Sequence, residues 1–291
     1  MDKLHTVLLT VARLALAAIL CVTLVIALLC SSLRVFFERG TYTNIAETDA
    51  VVSALYTEVL ELLESECLFY DLPYDTMKTA LSEDTVKTVL TAHVDAAYET
   101  LQNGKPLPTI TLDSYPFKEA IDSFFNTLSV EERPLDPDAS ATIATELSQS
   151  LSHVMSMGIG NKVLQTAHSP FVRVHRFADT SVWWLFAVIV LTAVSLIPVK
   201  ATLRQRAYST AGTLFLGSAL IAVPTWLFVG LDFPDKLAIG DSALREFVNT
   251  VLYTVIDRMN TLVTAAFIVS LLLLIASIVW VVKVNENKTA S

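Results

Sequence analysis

Four runs of apolar residues, each about as long as a bilayer is thick, restrict this chain to a membrane fold. The hydrocarbon core is about 30 Å across, so a spanning helix needs about 20 mostly apolar residues. Such runs occupy Leu14 to about Leu33, Val182 to Val199, a stretch within Ala207–Leu231, and Leu262 to Val282. None carries a charge in its central part. Composition agrees, since only 17% of the 291 residues are charged and the mean hydropathy is +0.56. A soluble domain would carry about 25% charged residues. An ordinary cytoplasmic enzyme, a disordered chain and a disulfide scaffold are excluded, the last because there are only three cysteines. The first run reads as an anchor rather than a cleaved leader, since no small-x-small cleavage site follows it.

Basic residues near span ends face the cytoplasm. Lys3 and Arg13 precede the first span, Lys200, Arg204 and Arg206 lie between the second and third, and Lys283 and Lys288 follow the fourth. Residues 31–180 instead hold 22 acids against 10 basic residues, a net charge of −12. Both termini are therefore expected inside, with residues of about 40–178 extracytoplasmic. Trp183, Trp184 and Trp226 are expected at the outer interface and Trp280 at the inner one. The resulting organisation is a cytoplasmic tail and first span over 1–33 and an extracytoplasmic α-helical domain over 34–181. The second span follows at 182–199, a cytoplasmic loop at 200–206 and the third span at 207–231. An extracytoplasmic amphipathic helix fills 232–261, the fourth span 262–282, and a cytoplasmic tail 283–291. The fold class is an all-α integral membrane protein of the cell membrane.

Within the exported domain, the first helix is expected after Asn44, where Asn44-Ile45-Ala46-Glu47 has a capping-box pattern. Val52, Leu55, Val59, Leu62 and Leu63 then form a helical stripe from which Glu47, Glu58 and Glu61 fall away, and Pro73 closes the segment. A second helix runs from Ser82 to Asn103-Gly104, a third starts at Pro116, and a fourth covers about Ser140–Met157. Thr109–Leu112 and Phe171–Phe177 alternate like short strands and predict a small two-stranded pairing. Val130–Asp138 reads as a surface loop. The piece from Leu81-Ser82-Glu83 through Gly104 to Ile110-Thr111-Leu112 and Lys118 resembles the exported portion of uncharacterised bacterial polytopic membrane proteins. That resemblance implies a bacterial cell-membrane protein and brings no catalytic residues.

The residues point to no reaction. There is no His-Glu-x-x-His, Cys-x-x-Cys, Gly-x-Ser-x-Gly or phosphate-cradling loop. His93 lies on the apolar face of the second helix and reads as a hydrogen-bonded core histidine. His168, His175 and Asp179 are the one loose group with metal-ligand chemistry, at a spacing that fits no strong metal rule. An ordinary membrane-proximal polar segment is the favoured reading. Cys67 is read as a buried thiol, with pairing between chains as the alternative. No cofactor is implied, and no basic block suggests nucleic acid. Gly212, Gly217 and Pro224 mark the third span for close packing and a kink.

Before the fourth span, Leu244, Phe247, Val248, Val251, Leu252, Val255 and Met259 form an i, i+3, i+4, i+7 stripe. Asp241 or Ser242 can cap its start, and no Pro or Gly separates it from the span. One helix is therefore expected from about Ser242 to Val282, about 60 Å long, with its stripe packed on the exported helices as one rigid unit. The alternative is a bend near Asn260 with the stripe in the membrane interface. The expected function is that of a non-enzymatic membrane protein whose exported domain binds a partner, ligand or envelope component. Its partners would be the bilayer and a protein or a second copy. An accessory or permease-like transport subunit is the alternative, by analogy of span order with MacB-like ABC-exporter permeases. A membrane-bound hydrolase ranks third.

Overall fold

A computed structural model describes residues 2–129, 138–195 and 203–289 of the chain. Nearly all of the expected loop Val130–Asp138, together with Pro198 and Lys200, lies outside them. Every regular element among the described residues is helical. In order these are α1 (Asp2–Arg34), α2 (Arg39–Ala46), α3 (Asp49–Phe69), α4 (Tyr74–Lys78), α5 (Glu83–Asn103) and α6 (Tyr115–Thr127). There follow α7 (Ala139–Met155), α8 (Asn161–Asp179), α9 (Ser181–Ser195), α10 (Leu203–Val229) and α11 (Ser242–Thr289). The chain forms two compact units. One comprises Met1–Phe37, Val174–Lys236 and Leu252–Ser291, and the other Glu38–Arg173 and Leu237–Val251.

The first unit draws on four segments long and apolar enough to cross a bilayer: Leu14–Phe37, Asn161–Ser195, Leu203–Val229 and Ser242–Lys283. Within it α1 packs on α9 and α10. Leu20, Ala27 and Val188 form one buried cluster, and Leu28, Ile221, Ala222 and Val263 another. Small residues and hydroxyls do the joining, because apolar burial gives little drive to helix association inside lipid. A Cβ added at Gly217 would lie 3.2 Å from Cys21 Sγ, so α10 approaches α1 closely there. A Cβ added at Gly212 would meet nothing within 4 Å among the described residues. The Ser218 and Ser270 hydroxyls pair at 2.6 Å, and Trp226 Nε1 donates to Thr264 Oγ1 at 3.0 Å. Pro224 sits inside α10 without ending it.

The second unit is a bundle in which α5 packs against α2, α3 and α7, while α6 lies on α7 and α4. Its core is made by Val51, Leu55, Val59 and Leu63 of α3, Val86 and Leu90 of α5, Phe117 and Ile121 of α6, and Leu147 and Leu151 of α7. Ser82 caps α5 by accepting from the Thr85 amide, as its position predicts. Arg39 on α2 reaches two carboxylates one turn apart on α5, Asp95 at 3.0 Å and Glu99 at 3.1 Å. The Arg39 hydrogen bond, helped by one from Thr43, holds Asp95 below the usual carboxylate range.

Three expectations are corrected. Asn44 lies inside α2, and the following helix starts at Asp49 after Thr48. Burial of Ile45 and Ala46, in a helix packed on α5, overrides the local capping signal. Pro73 closes nothing, since α3 ends at Phe69 and Pro73 introduces the short α4. Thr109–Leu112 is not a strand, and Phe171–Phe177 is part of α8. Beyond that run the same helix carries Ala178, which is fully buried.

The start of α11 belongs to this second unit. Asp241 accepts from the Leu244 amide at 2.6 Å, as an N-cap should. Glu58 of α3 accepts from the Ser242 amide at 2.6 Å, the Ser242 hydroxyl at 2.5 Å and the Ala243 amide at 3.1 Å. Two carboxylates thus satisfy three first-turn amides at the positive end of the helix. Ala243, Phe247 and Val251 are buried, while Leu244 and Val248 are half-buried. Further along the helix, Leu252 and Val255 are also half-buried. α11 is assigned as one helical element from Ser242 through Asn260 to Thr289. Val251→Asp places an unpaired carboxylate among these apolar side chains, at a cost of about 3 kcal/mol or more. Limited proteolysis should then cleave within residues 38–129 at protease concentrations that leave the parent chain intact.

Candidate functional site

The second unit contains two cavities that share a wall. The first is built on α5, whose inward residues past Leu90 change from purely aliphatic to His93, Val94, Ala97, Tyr98 and Leu101, and the second meets α5 at His93. The first cavity is an apolar chamber of about 120 Å³. That α5 stripe forms one side, with Tyr42 of α2, Leu164 of α8 and Phe247 of α11 around it. Leu107 and the turn residues Ser156, Met157 and Ile159 complete it. The second cavity, of about 350 Å³, has a mixed lining, mostly apolar but with several polar side chains. One wall is the extended run Leu107–Thr111, and the other is the end of α7 with Gln149, Ser152, His153 and Ser156, followed by Gly158–Asn161. His93, Leu107, Ser156 and Ile159 line both.

Local chemistry holds these walls in place. α5 ends at Gly104, whose φ of +68° is the left-handed conformation that glycine adopts without strain. The Leu101 carbonyl, left over at the helix end, accepts from His168 Nδ1 at 2.7 Å. The connector beyond Gly104 is pinned by the Leu107 amide on Asn161 Oδ1 at 3.0 Å and the Leu112 amide on Ser152 Oγ at 2.7 Å. Tyr98 meets the edge of Phe171 at a centroid distance of 6.0 Å, which fixes its ring beside Tyr42. Met157 is a buried wall residue and has φ of +50°, a conformation that costs a non-glycine residue about 1–2 kcal/mol. Backbone strain of this kind gathers at functional sites.

His93 is the singular group. Its ring hydrogen-bonds the Ile110 backbone, and burial pushes its pKa below the ordinary histidine value. Nε2 is buried and has no hydrogen-bond partner among the described residues. The bond to Ile110 therefore uses Nδ1–H, and in the neutral ring Nε2 is a bare acceptor. The hydrogen bond expected of a core histidine is thus present on one side of the ring, while Nε2 on the other side has no partner among the described residues.

The expected group of His168, His175 and Asp179 does not form a centre. His168 serves the end of α5, whereas His175 Nε2 lies 3.5 Å from Asp179 Oδ2 and its ring stacks on Phe37 at 5.3 Å. Among the described residues no three His, Cys, Asp or Glu side chains converge as metal ligands would. Cys67 is buried, and burial with help from Glu66 and Glu64 pushes its thiol up to about 11. A thiol so protonated and covered is a poor nucleophile. The chamber itself was not read from the sequence, although Phe247 and His93, two of its walls, were singled out. Tyr42, Met157 and Leu164 carry no local signal, because three separate elements bring them to α5. No protein-family model, curated protein or solved structure matches this chain.

Two outcomes follow. Adding a Cβ at Gly104 brings it within 3.0 Å of the His168 ring as well as straining φ, so Gly104→Ala should lower stability by about 1–3 kcal/mol, read as a lower urea midpoint. A histidine whose folded pKa lies below its unfolded value resists protonation in the native state. Its contribution is intact above about pH 6.5 and is lost as pH falls toward the folded pKa. Stability measured from pH 7.5 down to 5 should therefore decline less steeply in His93→Gln than in the parent chain.

Proposed function

We propose that this is a non-enzymatic, multi-span membrane protein whose second unit is an extracytoplasmic binding module. The observation that carries the reading is the pair of cavities meeting at His93, one wholly apolar and one of mixed lining. A cleft combining an apolar body with a few placed polar groups is the usual form of a ligand site. The net charge of −12 over residues 31–180, against the basic residues that flank the spans, supports an outward-facing module with both termini inside. Leu68 and Phe69, 80% and 78% exposed at the end of α3, offer a separate apolar surface suited to a protein partner or a second copy.

Two measurements test the reading. On a background with the native cysteines replaced, Thr142→Cys should react with an impermeant maleimide on intact cells, and Lys288→Cys should not. The reverse pattern overturns the orientation. Native mass spectrometry of the full chain released in mild detergent should show a stoichiometric bound species, whether small molecule or protein. Repeated recovery of the bare monomer contradicts the binding role.

A further inference from the structure

The two cavities select a ligand chemistry, an inference that rests on the binding role proposed above. The chamber is about 120 Å³ and is walled by aliphatic and aromatic side chains. An apolar cavity of about 150 Å³ stays dry and takes up benzene, so this space matches one six-membered ring or a short branched alkyl group. A wholly apolar guest would leave the orphaned Nε2 of His93 unanswered, and a buried acceptor without a partner is costly. With Nδ1–H committed to Ile110, Nε2 accepts only an O–H or N–H. A guest bearing a second acceptor there, such as an ether or carboxylate oxygen, is repelled. Beyond His93 the larger cavity has room for a hydrophilic remainder, with Gln149, His153, Thr109 and Thr111 among the residues of its mixed lining.

We infer that the second unit binds a small amphiphile. Its single ring fills the chamber against Ala97, Leu101 and Phe247, a hydroxyl or amine donates to His93 Nε2, and any polar extension lies in the adjoining cavity. Two positions control this. Ala97 is the smallest wall residue, so enlarging it closes the chamber. His93 sets the demand for a donor.

The probes are phenol, anisole and toluene, which share a ring and differ in the donor. Binding to the full chain in detergent is followed by isothermal calorimetry. Phenol should bind saturably at one per chain, with toluene and anisole about tenfold weaker, the factor expected from one hydrogen bond. Ala97→Leu should weaken phenol at least tenfold. Should that variant fail to fold, Leu164→Phe fills the same space from α8 and carries the same expectation. His93→Phe should remove the preference for phenol over toluene. The inference is overturned if folded parent chain shows no saturable phenol binding, if phenol and toluene bind alike, or if the filling variants leave binding unchanged. When the probes fail while native mass spectrometry still reveals a bound species, the ligand class falls and the binding role stands. When both fail, both fall.

Discussion

The second unit depends on one carboxylate. Glu58, in the middle of α3, accepts from the Ser242 amide, the Ser242 hydroxyl and the Ala243 amide across 184 positions of sequence. The first amides of a helix have no partner within it, and a carboxylate there satisfies them and complements the helix dipole. Asp241 takes the Leu244 amide alongside. The start of α11 is thereby fixed on α3, and Phe247, one turn further on, becomes a wall of the apolar chamber. Charge-assisted hydrogen bonds of this sort are about twice as strong as neutral ones. Their number at a single oxygen explains how the unit acquires a segment that the chain supplies last.

A second constraint shapes the first unit. In hydrocarbon every backbone polar group must be satisfied within its own segment or a neighbour, which favours helices throughout. Apolar contact alone does not select partners there. Selection falls to close approach and to hydroxyl pairs, seen at Gly217 against Cys21 and at Ser218 with Ser270. The same sequence therefore uses two packing logics, with aliphatic burial organising α3, α5 and α7 and small polar residues organising the spans.

Legibility in the sequence follows from the range of each interaction. The spans, the cap at Ser82, the stop at Gly104 and the unbroken helix from Ser242 are local or periodic features, and all can be read from the chain. The stripe containing Phe247 and Val251 was legible too, because its period is helical. Glu58 was not, because an acid on the polar side of an amphipathic helix gives no sign that a distant helix end will meet it. The same limit applies to the chamber. Its α5 face shows only as an apolar stripe interrupted by a histidine, while Tyr42, Met157 and Leu164 arrive by tertiary packing. Short alternating runs were misleading in the opposite way. Phe171–Phe177 satisfies both a two-residue and a helical period, and only its surroundings decide between them.

The central claim is that Glu58 fixes the beginning of α11, and with it the chamber wall, and amide hydrogen exchange of the full chain reads this directly. Glu58→Ala leaves the Ser242 and Ala243 amides without their acceptor. Exchange across Ser242–Val251 should then accelerate at least tenfold, while the α6–α7 pair exchanges as before. Unchanged protection over Ser242–Val251 in that variant would contradict the account.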